Sequence, residues 1–208
     1  MKRQAHTVAG IDVGGKRKGF HAVALRGKRI VGTLATCSAT DAVAWCRRHA
    51  ASVVAIDAPS QWSVTGRSRP CERDLARLGM RCFSTPSREV GEDHPFYGWM
   101  MNGATLFQLM TRYYRLYDGR SASLDPVCFE TFPHAIACSL AGRTLSAKQK
   151  RVERRRLLEE AGFVTGDLTS LDDVDAALCA VAAQQFIAGR FNAYGEPRQG
   201  FILLPTCL

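Results

Sequence analysis

The chain has 208 residues and carries 28 lysines and arginines against 19 aspartates and glutamates, a formal net charge of +9 at pH 7. With 46% hydrophobic and 23% charged residues, its composition is that of a globular protein. No apolar run approaches the roughly 20 residues of a membrane helix, so we expect no membrane association. The positive charge favours polyanions such as nucleic acid as partners.

Eight cysteines are spread along the chain without any Cys-x-x-Cys pair, and most of them fall in apolar segments. A chain of this length does not need disulfides, so we expect buried, reduced thiols in a cytoplasmic protein. No cluster of cysteine and histidine has the ligand spacing of a zinc site. The eight are Cys37, Cys46, Cys71, Cys82, Cys128, Cys138, Cys179 and Cys207.

Three strands are predicted at the start of the chain, over residues 7–13, 19–25 and 29–36. The link GGKRK between the first two is short and led by glycine, which favours a β-hairpin, and the third strand completes an antiparallel meander. A helix is predicted over residues 41–50, with Thr40 as its N-cap.

A short apolar strand is predicted over residues 52–56. From residue 60 to about 119 the chain changes character and becomes rich in arginine, aromatic residues and methionine, with predicted helices at 71–78 and 97–117. We interpret the segment 60–119 as a helical insertion that lies against the main sheet, within a single domain over residues 1–208.

The strand pattern returns over residues 127–133, followed by a charged helix at 146–161. A helix at 171–189 is apolar around most of its girth, so it should be packed on more than one side. The last segment, GFILLP, is predicted to add an edge strand. This order of elements is that of the ribonuclease H-like fold. We therefore predict an α/β protein with a ribonuclease H-like mixed sheet, in which the antiparallel meander is followed by parallel strands, flanked by helices.

Three of the predicted strands end in an acidic residue, namely Asp12, Asp57 and Glu130. In an open α/β sheet, ligands bind outside the carboxyl ends of the strands. If the strands that carry these acids are parallel neighbours, we expect the three side chains to converge at one edge of the sheet.

The last predicted helix contributes two more carboxylates. Asp172 and Asp175 are three positions apart and share a face of the helix, whereas Asp173 points elsewhere. Ser170 and Asp173 fit a capping box, so we assign Asp173 to the helix N-terminus.

Four or five acids around one point repel one another unless cations neutralise them. Oxygen ligands select hard divalent ions, so the expected cofactor is Mg²⁺ or Mn²⁺. Two such ions can activate a water and stabilise the leaving oxygen of a phosphodiester, which predicts a metal-dependent nuclease. The predicted metal ligands and catalytic residues are Asp12, Asp57, Glu130 and Asp175, with Asp172 as a further catalytic residue.

Each acid also has a structural explanation. Asp12 beside a Gly-Gly pair is typical of a turn, and Asp57 before Ala-Pro is typical of a solvated strand end. Glu130 can pair with an arginine, and Asp172 stabilises any helix N-terminus. This kind of explanation is weakest for Asp175, because a carboxylate in a largely apolar helix requires a cation.

Five segments resemble a known family in their order and spacing: IDVGGKRKGFHAVAL, AIDAP, RPCERDLARLGMR, CFETFPHA and DDVDAALCAVAA. This family is labelled domain of unknown function 429 and is regarded as one of predicted nucleases in the ribonuclease H-like superfamily. The likeness covers nearly the whole chain and implies the fold and a candidate metal site, without a known substrate. The helix with Asp172 and Asp175 is also similar to that of Holliday-junction resolvases in the superfamily.

Basic residues are concentrated in two segments. RSRPCERDLARLGMR contains an Arg-x-Cys-Glu stretch that is characteristic of the resembled family, and KQKRVERRR has Glu153 as its one acid. Both suit phosphate contacts with nucleic acid, and solvated helix faces are the alternative in both cases. The residues predicted to bind substrate phosphates are Lys16, Arg69, Arg73, Arg77, Lys148, Arg151 and Arg155.

Aromatic residues in and near the insertion can stack on unpaired bases, although at helical spacing such residues more often belong to a core. They are Phe96, Tyr97, Trp99, Tyr113, Tyr114 and Tyr117. For His21 and His134, a core or hydrogen-bonding role is favoured over metal ligation.

Two alternative functions are left open. The motif GIDVGG also resembles the first phosphate loop of actin-like sugar kinases, whose core shares this sheet topology. Those kinases need two copies of the domain and a second glycine-rich motif, so only a single-domain nucleotide binder fits this chain. The other alternative is a non-catalytic nucleic-acid-binding module. A homodimer is also left open.

Overall fold

One mixed sheet forms the centre of the molecule. The computed structural model describes residues 6–120 and 126–206, apart from the side chains of Asp93 and Ala147, and Cys207 lies outside these ranges. The strands in the described ranges are β1 (Thr7–Val13), β2 (Phe20–Arg26), β3 (Arg29–Thr36), β4 (Val53–Asp57), β5 (Arg115–Leu116), β6 (Val127–Glu130), β7 (Phe191–Glu196) and β8 (Gly200–Pro205). They lie side by side in the order β3-β2-β1-β4-β6-β8-β7, and β5 pairs with β6.

The strand directions are those predicted. β1 pairs with β2, and β2 with β3, in antiparallel fashion, which forms the meander. β4 runs parallel to β1, and β6 runs parallel to β4. This order and these directions confirm the mixed sheet of ribonuclease H-like type.

The far edge of the sheet differs from the prediction. The segment GFILLP forms β8, but β8 lies inside the sheet between β6 and β7 rather than at its edge. The edge strand is β7, which pairs antiparallel with β8. Half of its residues, FNAYGE, are exposed and none is buried, and they lack the alternation of a half-buried strand, so no pattern predicts it.

Helices cover both faces of this sheet. In the described ranges they are α1 (Ala39–Arg48), α2 (Pro70–Arg77), α3 (Arg88–Asp93), α4 (Gly98–Met110), α5 (Pro133–Ala141), α6 (Lys150–Glu160) and α7 (Leu171–Ile187). The nearly all-buried α7 packs across β1, β2 and β4, with α5 and α6 beside it. α1 and α4 pack together on the opposite face.

Two helix boundaries were predicted wrongly. The N-cap of α1 is Ser38 rather than Thr40, because the Ser38 hydroxyl accepts a hydrogen bond from the Asp41 amide at 3.1 Å. The helix predicted at 97–117 ends at Met110, after which the chain turns and enters β5. Periodicity does not show this stop, since tyrosines suit a strand and a buried helix equally.

Two other helices depart from the prediction in smaller ways. The charged helix begins as a short 3-10 turn at Ala147–Gln149 and continues as α6. The helix α5 was not predicted. It begins at Pro133, where a proline needs no hydrogen-bond partner, and ends at Gly142, which adopts a left-handed conformation with φ of 62°.

The segment 60–119 contains α2, α3 and α4. α4 packs on α1 and β1, whereas α2 packs against β7 and β8. That this segment is an insertion within a single domain stays a prediction. Among the helices that the structure describes, none has the length and hydropathy needed to cross a membrane.

Cysteines in the described ranges are free thiols, and five of the seven are buried, as expected. Cys37 is exposed and Cys82 is half-buried. The predicted cytoplasmic location is not tested by these positions and stays a prediction.

Candidate metal centre

Two of the predicted acids lie side by side. Asp12 is the last residue but one of β1, Asp57 is the last residue of β4, and the two are direct partners in the parallel pairing of these strands. Because side chains alternate along a strand, partners in register leave the sheet on the same face. Their carboxyl groups are within hydrogen-bonding reach of each other.

The helix α7 brings two further acids to this face, and Gly10 makes its approach possible. A Cβ atom at Gly10 would overlap the backbone of Ala176 and Ala180 in α7, so the helix lies directly against β1 at this glycine. This close contact sets Asp172 and Asp175, in the first turns of α7, next to the pair on the strands. Asp175 is buried and Asp172 lies nearer the solvent.

The electrostatics of these acids show how crowded the site is. Burial and the nearby charges of Asp175 and Asp172 raise the pKa of Asp12 from 3.8 to about 7. Burial and the charge of Asp12 hold the pKa of Asp57 well above its ordinary value. Burial also raises the pKa of Asp175, despite an arginine beside it. Near neutral pH, the pair of Asp12 and Asp57 therefore holds a proton unless another cation replaces it.

Glu130 lines the same pocket as Asp12, Asp57, Asp172 and Asp175, but it is paired with Arg69, so its predicted role as a metal ligand stays a prediction. In the parallel pairing of β4 and β6, Glu130 is the partner of Ile56 rather than Asp57. A shift of one residue turns a side chain to the other face of a sheet, so Glu130 leaves the sheet on the face opposite Asp57. Both of its oxygens accept hydrogen bonds there, from the guanidinium of Arg69 and from the amide and hydroxyl of Ser60.

Arg69 lines the pocket but is paired with buried carboxylates, so its predicted contact with phosphate stays a prediction. Its side chain is 1% exposed, and its Nη2 donates to Glu130 Oε1 at 2.5 Å. Its Nε donates to Glu72 Oε1 at 2.8 Å, and Glu72 also accepts from the amide and hydroxyl of Thr85. This buried network attaches α2 to the end of β6. The Arg-x-Cys-Glu stretch of the resembled family thus serves the fold in this structure.

Cations from two directions already neutralise the acids of α7. Arg154, on α6, is buried and its Nη1 donates to Asp175 Oδ1 at 2.5 Å. The Nε of Arg154 has no partner among the residues that the structure describes. Lys18 lies in the loop after β1, and its Nζ donates to both oxygens of Asp172 at 2.9 and 3.0 Å.

Asp173 caps α7, as predicted. Its Oδ2 accepts hydrogen bonds from the amides of Thr169 and Ser170, and the Ser170 hydroxyl accepts from the Asp173 amide. Its Oδ1 lies 2.7 Å from His21 Nδ1, which is a contact between β2 and α7 that the sequence did not reveal. Burial alone would raise the pKa of Asp173, but the hydrogen bonds from His21 and Ser170 outweigh it and lower the pKa.

A pocket of about 440 Å³ opens beside the carboxylates. Its walls include Trp99 and Phe132 as well as the basic side chains of Lys18, Lys150 and Arg154. Lys18 lies outside the segments predicted to contact phosphate, and Lys150 and Arg154 lie within the predicted segment KQKRVERRR without having been singled out. The signal for two of them was present, because Lys150 and Arg154 are four positions apart on α6 and so share one face of the helix.

The predicted metal ligands are only partly assembled. In the ranges 6–120 and 126–206, no three aspartate, glutamate, histidine or cysteine side chains are placed so that they could hold one ion. Asp175 is paired with Arg154 and Asp172 with Lys18, whereas Asp12 and Asp57 are adjacent to each other. Asp12 and Asp57 offer only carboxylate oxygens, which are the ligands that hard divalent cations prefer.

The other predicted phosphate contacts fall into two groups. Arg155 is half-buried and donates to the backbone carbonyls of Thr165 and Leu168 at 2.8 and 2.5 Å, which is a structural role. The remaining side chains are exposed, so the prediction for them stays open; they are Lys16, Arg73, Arg77, Lys148 and Arg151. Arg77 pairs with Asp74 on the surface.

The aromatic residues predicted as stacking or core residues are of two kinds, buried and exposed. Tyr114 and Tyr117 are buried in the core. Tyr113 is exposed and its ring is covered by the guanidinium of Arg47 at 3.9 Å. Phe96 is exposed, Tyr97 and Trp99 are partly exposed, and Trp99 lies in the wall of the pocket.

Comparisons with known proteins identify the family of the chain. A family model described as "Protein of unknown function (DUF429)" matches residues 10–199, which confirms the family resemblance. Among solved structures, RuvC of Thermus thermophilus is similar at 15% identity and a TM-score of 0.47, over 88% of this chain and 95% of that one. T. thermophilus RuvC in complex with a Holliday junction substrate gives 15% identity and a TM-score of 0.43, over 88% and 96%. No curated protein matches the chain significantly.

Proposed function

Because the chain belongs to the DUF429 family of proteins of unknown function, we propose a function from its site: it is a divalent-metal-dependent nuclease that hydrolyses phosphodiester bonds of nucleic acid. The observation that carries this proposal is the pair of Asp12 and Asp57. Two carboxyl groups lie in register at the carboxyl ends of parallel strands, in a pocket with basic residues in its walls. An arrangement that raises the pKa of both acids is unfavourable by itself and becomes favourable with a dication.

The donors of the site fit Mg²⁺ or Mn²⁺. Asp12 and Asp57 offer carboxylate oxygens, which these ions prefer, and no thiol or imidazole competes within the pair. We assign the metal to Asp12 and Asp57. Asp175 and Asp172 become further ligands when they release Arg154 and Lys18, their partners in the metal-free protein. Glu130 is left out of this assignment because Arg69 and Ser60 occupy it. When bound, such ions activate a water and stabilise the leaving oxygen of a phosphodiester.

In this proposal the cations around the pocket also bind phosphates of the substrate. Lys18, Lys150 and Arg154 lie in its walls, and Arg151 and Lys148 extend the positive surface outward along α6 and the turn before it. They bind the phosphates next to the bond that is cut, and they contribute no sequence preference. Arg154 would then form an ion pair with Asp175 in the free protein and bind a phosphate in the complex with nucleic acid.

A single nucleotide is the second candidate substrate. The pocket volume of about 440 Å³ is in the usual range for small ligands, and Trp99 and Phe132 in its walls suit a base. In that case Lys18, Lys150 and Arg154 bind the phosphate group of one nucleotide rather than the backbone of a nucleic acid. A nucleic-acid-binding module without catalysis is the third, and only an activity measurement separates it from the first.

The proposal is tested by a cleavage panel. Labelled single-stranded, duplex and branched nucleic acids, together with mononucleotides, are incubated with the protein and Mn²⁺. We expect cleavage by the wild type, and a loss of at least about 100-fold for Asp12→Asn, since one oxygen donor becomes an amide. Asp41→Asn, which changes an exposed acid at the start of α1, is the control and should keep full activity.

Two results of the panel would contradict the proposal. Binding of nucleic acid by the wild type without any cleavage would favour the module without catalysis. Equal cleavage by Asp12→Asn and the wild type would show that the activity does not come from this site.

A further inference from the structure

Five aromatic rings form a cluster on the surface of the segment 60–119. We call Phe83, His94, Phe96, Tyr97 and Trp99 the aromatic cluster. Phe83 packs edge-on against Phe96 with ring centroids 5.5 Å apart, and it also contacts Trp99 at 6.2 Å. Phe96 meets Tyr97 at 5.2 Å, and His94 meets Tyr97 at 5.2 Å. The rings therefore hold one another in place without a covering layer.

Two rings of the cluster are exposed, whereas Trp99 packs against the core. The side chains of Phe83 and Phe96 are 62% and 52% exposed, whereas Tyr114 and Tyr117 are 3% and 9% exposed. Exposed phenylalanines in contact with one another give up the stabilisation that burial would bring, and such patches usually mark a binding surface. Packing of the core does not explain why Phe83 and Phe96 are exposed.

The cluster is continuous with the acid pocket. Trp99 lies in the wall of that pocket and also in the wall of a neighbouring cavity of about 840 Å³, together with Gly15. Phe83 lies in the acid pocket, and His94 and Phe96 lie in the neighbouring cavity. Asn102 of α4 donates to the carbonyl of Gly14 at 2.8 Å, which fixes this region to the loop after Asp12.

The charges around the cluster suit a polyanion. Lys16 is exposed in the wall of the neighbouring cavity. The acid Glu92 is also there, but its Oε1 accepts from Arg88 Nε at 2.6 Å, so its charge is paired. Lys150 adds a positive charge to the wall of the acid pocket, where Arg154 is paired with Asp175.

We propose that the aromatic cluster is a stacking surface for unpaired bases, so that the site takes single-stranded rather than duplex nucleic acid. Bases of the strand stack on Phe83 and Phe96. The backbone phosphates contact Lys16, and the scissile phosphate lies at Asp12 and Asp57. In a duplex the faces of the bases are covered by their neighbours, so these rings have nothing to stack on. This inference rests on the proposed function for the position of the scissile phosphate, but the binding surface itself does not need catalysis.

Binding is measured by fluorescence anisotropy in EDTA, so that neither metal nor cleavage contributes. The probes are a labelled oligothymidylate of about 15 nucleotides, an abasic strand with the same phosphates, and a duplex of equal length. We expect the oligothymidylate to bind more tightly than the other two. The double variant Phe83→Ala with Phe96→Ala should weaken oligothymidylate binding by about 10-fold or more and leave abasic binding unchanged.

The control variant is Tyr113→Ala, an aromatic residue 48% exposed and outside the cluster, which should bind like the wild type. Equal binding of the abasic strand or the duplex, or an unchanged affinity of the double variant, overturns the inference. So does a change of the oligomeric state in the double variant, measured by sedimentation, because the rings would then cover a second copy of the chain. A protein that passes these tests but cleaves nothing refutes the proposed function alone.

Discussion

Asp12 lies directly opposite Asp57 in the parallel pairing of β1 and β4. This single relationship explains the unusual state of both acids, because partners in register share a face of the sheet and cannot move apart without breaking the strand pairing. Gly10 lets α7 cover the pair, which buries it and adds the charges of Asp172 and Asp175. The sheet and the helix thus impose the repulsion, and Arg154 and Lys18 balance only part of it.

The stability of the metal-free protein should fall as the pH rises from about 4 to about 7. Over this interval an unfolded chain loses the proton of Asp12, whose ordinary pKa is 3.8, while the folded chain keeps it until about 7. The folded state then binds more protons than the unfolded state, so the free energy of unfolding decreases with pH. Asp57 acts in the same direction, because its pKa is also raised.

The measurement for this prediction is urea unfolding at pH 5 and pH 8 in EDTA, for the wild type and Asp12→Asn. Asp12→Asn removes one titrating carboxyl group and also the negative charge that raises the pKa of Asp57. The variant should therefore lose less stability between pH 5 and pH 8 than the wild type. An identical pH dependence in both proteins would show that the two acids are not coupled.

Gly10→Ala should destabilise the protein strongly. The added methyl group would overlap the backbone of Ala176 and Ala180, so α7 would have to move away from β1. We expect a cost of about 3 kcal/mol or more in the free energy of unfolding, the upper end for overpacking, and a loss of metal binding with it. Gly166→Ala, where a new Cβ has nothing within 4 Å, is the control and should change stability by less than about 0.5 kcal/mol.

Arg69→Met tests whether this arginine serves the fold or the substrate. Removing it leaves Glu72 and Glu130 buried without their cation, which should cost about 3–5 kcal/mol of stability. Arg73→Met, on the exposed side of the same helix, should change stability by less than about 0.5 kcal/mol. Thermal unfolding of the two variants decides. A small effect of Arg69→Met together with weaker nucleic-acid binding would support the phosphate role predicted from the sequence.

Arg154→Met should make the metal site easier to fill. The variant releases Asp175 from its ion pair, so a divalent cation no longer competes with the guanidinium for that carboxylate. We expect the affinity for Mn²⁺ to rise by about 10-fold, which is about 1.4 kcal/mol, while the metal-free protein becomes less stable. The control is Arg156→Met on the exposed face of α6. Weaker Mn²⁺ binding in Arg154→Met would mean that the ion pair supports the metal site rather than competing with it.

Much of the fold follows from patterns that the sequence displays openly. The strands that become β1, β2, β3, β4 and β6 are apolar runs with clear ends, and α7 is apolar around its girth, so their order predicts the sheet. β7 has no such pattern, and α5 follows a strand so closely that the two merge in the sequence. Helix periodicity also does not reveal where α4 gives way to β5.

The site was predicted less completely, and the reason is register. The sequence shows that Asp57 and Glu130 each end a strand, but not that Glu130 pairs with Ile56. A difference of one residue changes the face of a strand on which a side chain lies, so Glu130 meets Arg69 and Ser60 although it lines the same pocket as Asp12 and Asp57. The partners Arg69, Arg154 and His21 lie 61, 21 and 152 positions from the acids they contact, and no local pattern reveals such contacts.

The central claim is that Asp12 and Asp57 together bind a divalent cation, and calorimetric titration of the metal-free protein with Mn²⁺ at pH 8 tests it most directly. We expect saturable binding by the wild type, its loss in both Asp12→Asn and Asp57→Asn, and its retention in Glu130→Gln if that variant folds. Binding that survives in Asp12→Asn and Asp57→Asn, or no binding by the folded wild type, would contradict the account.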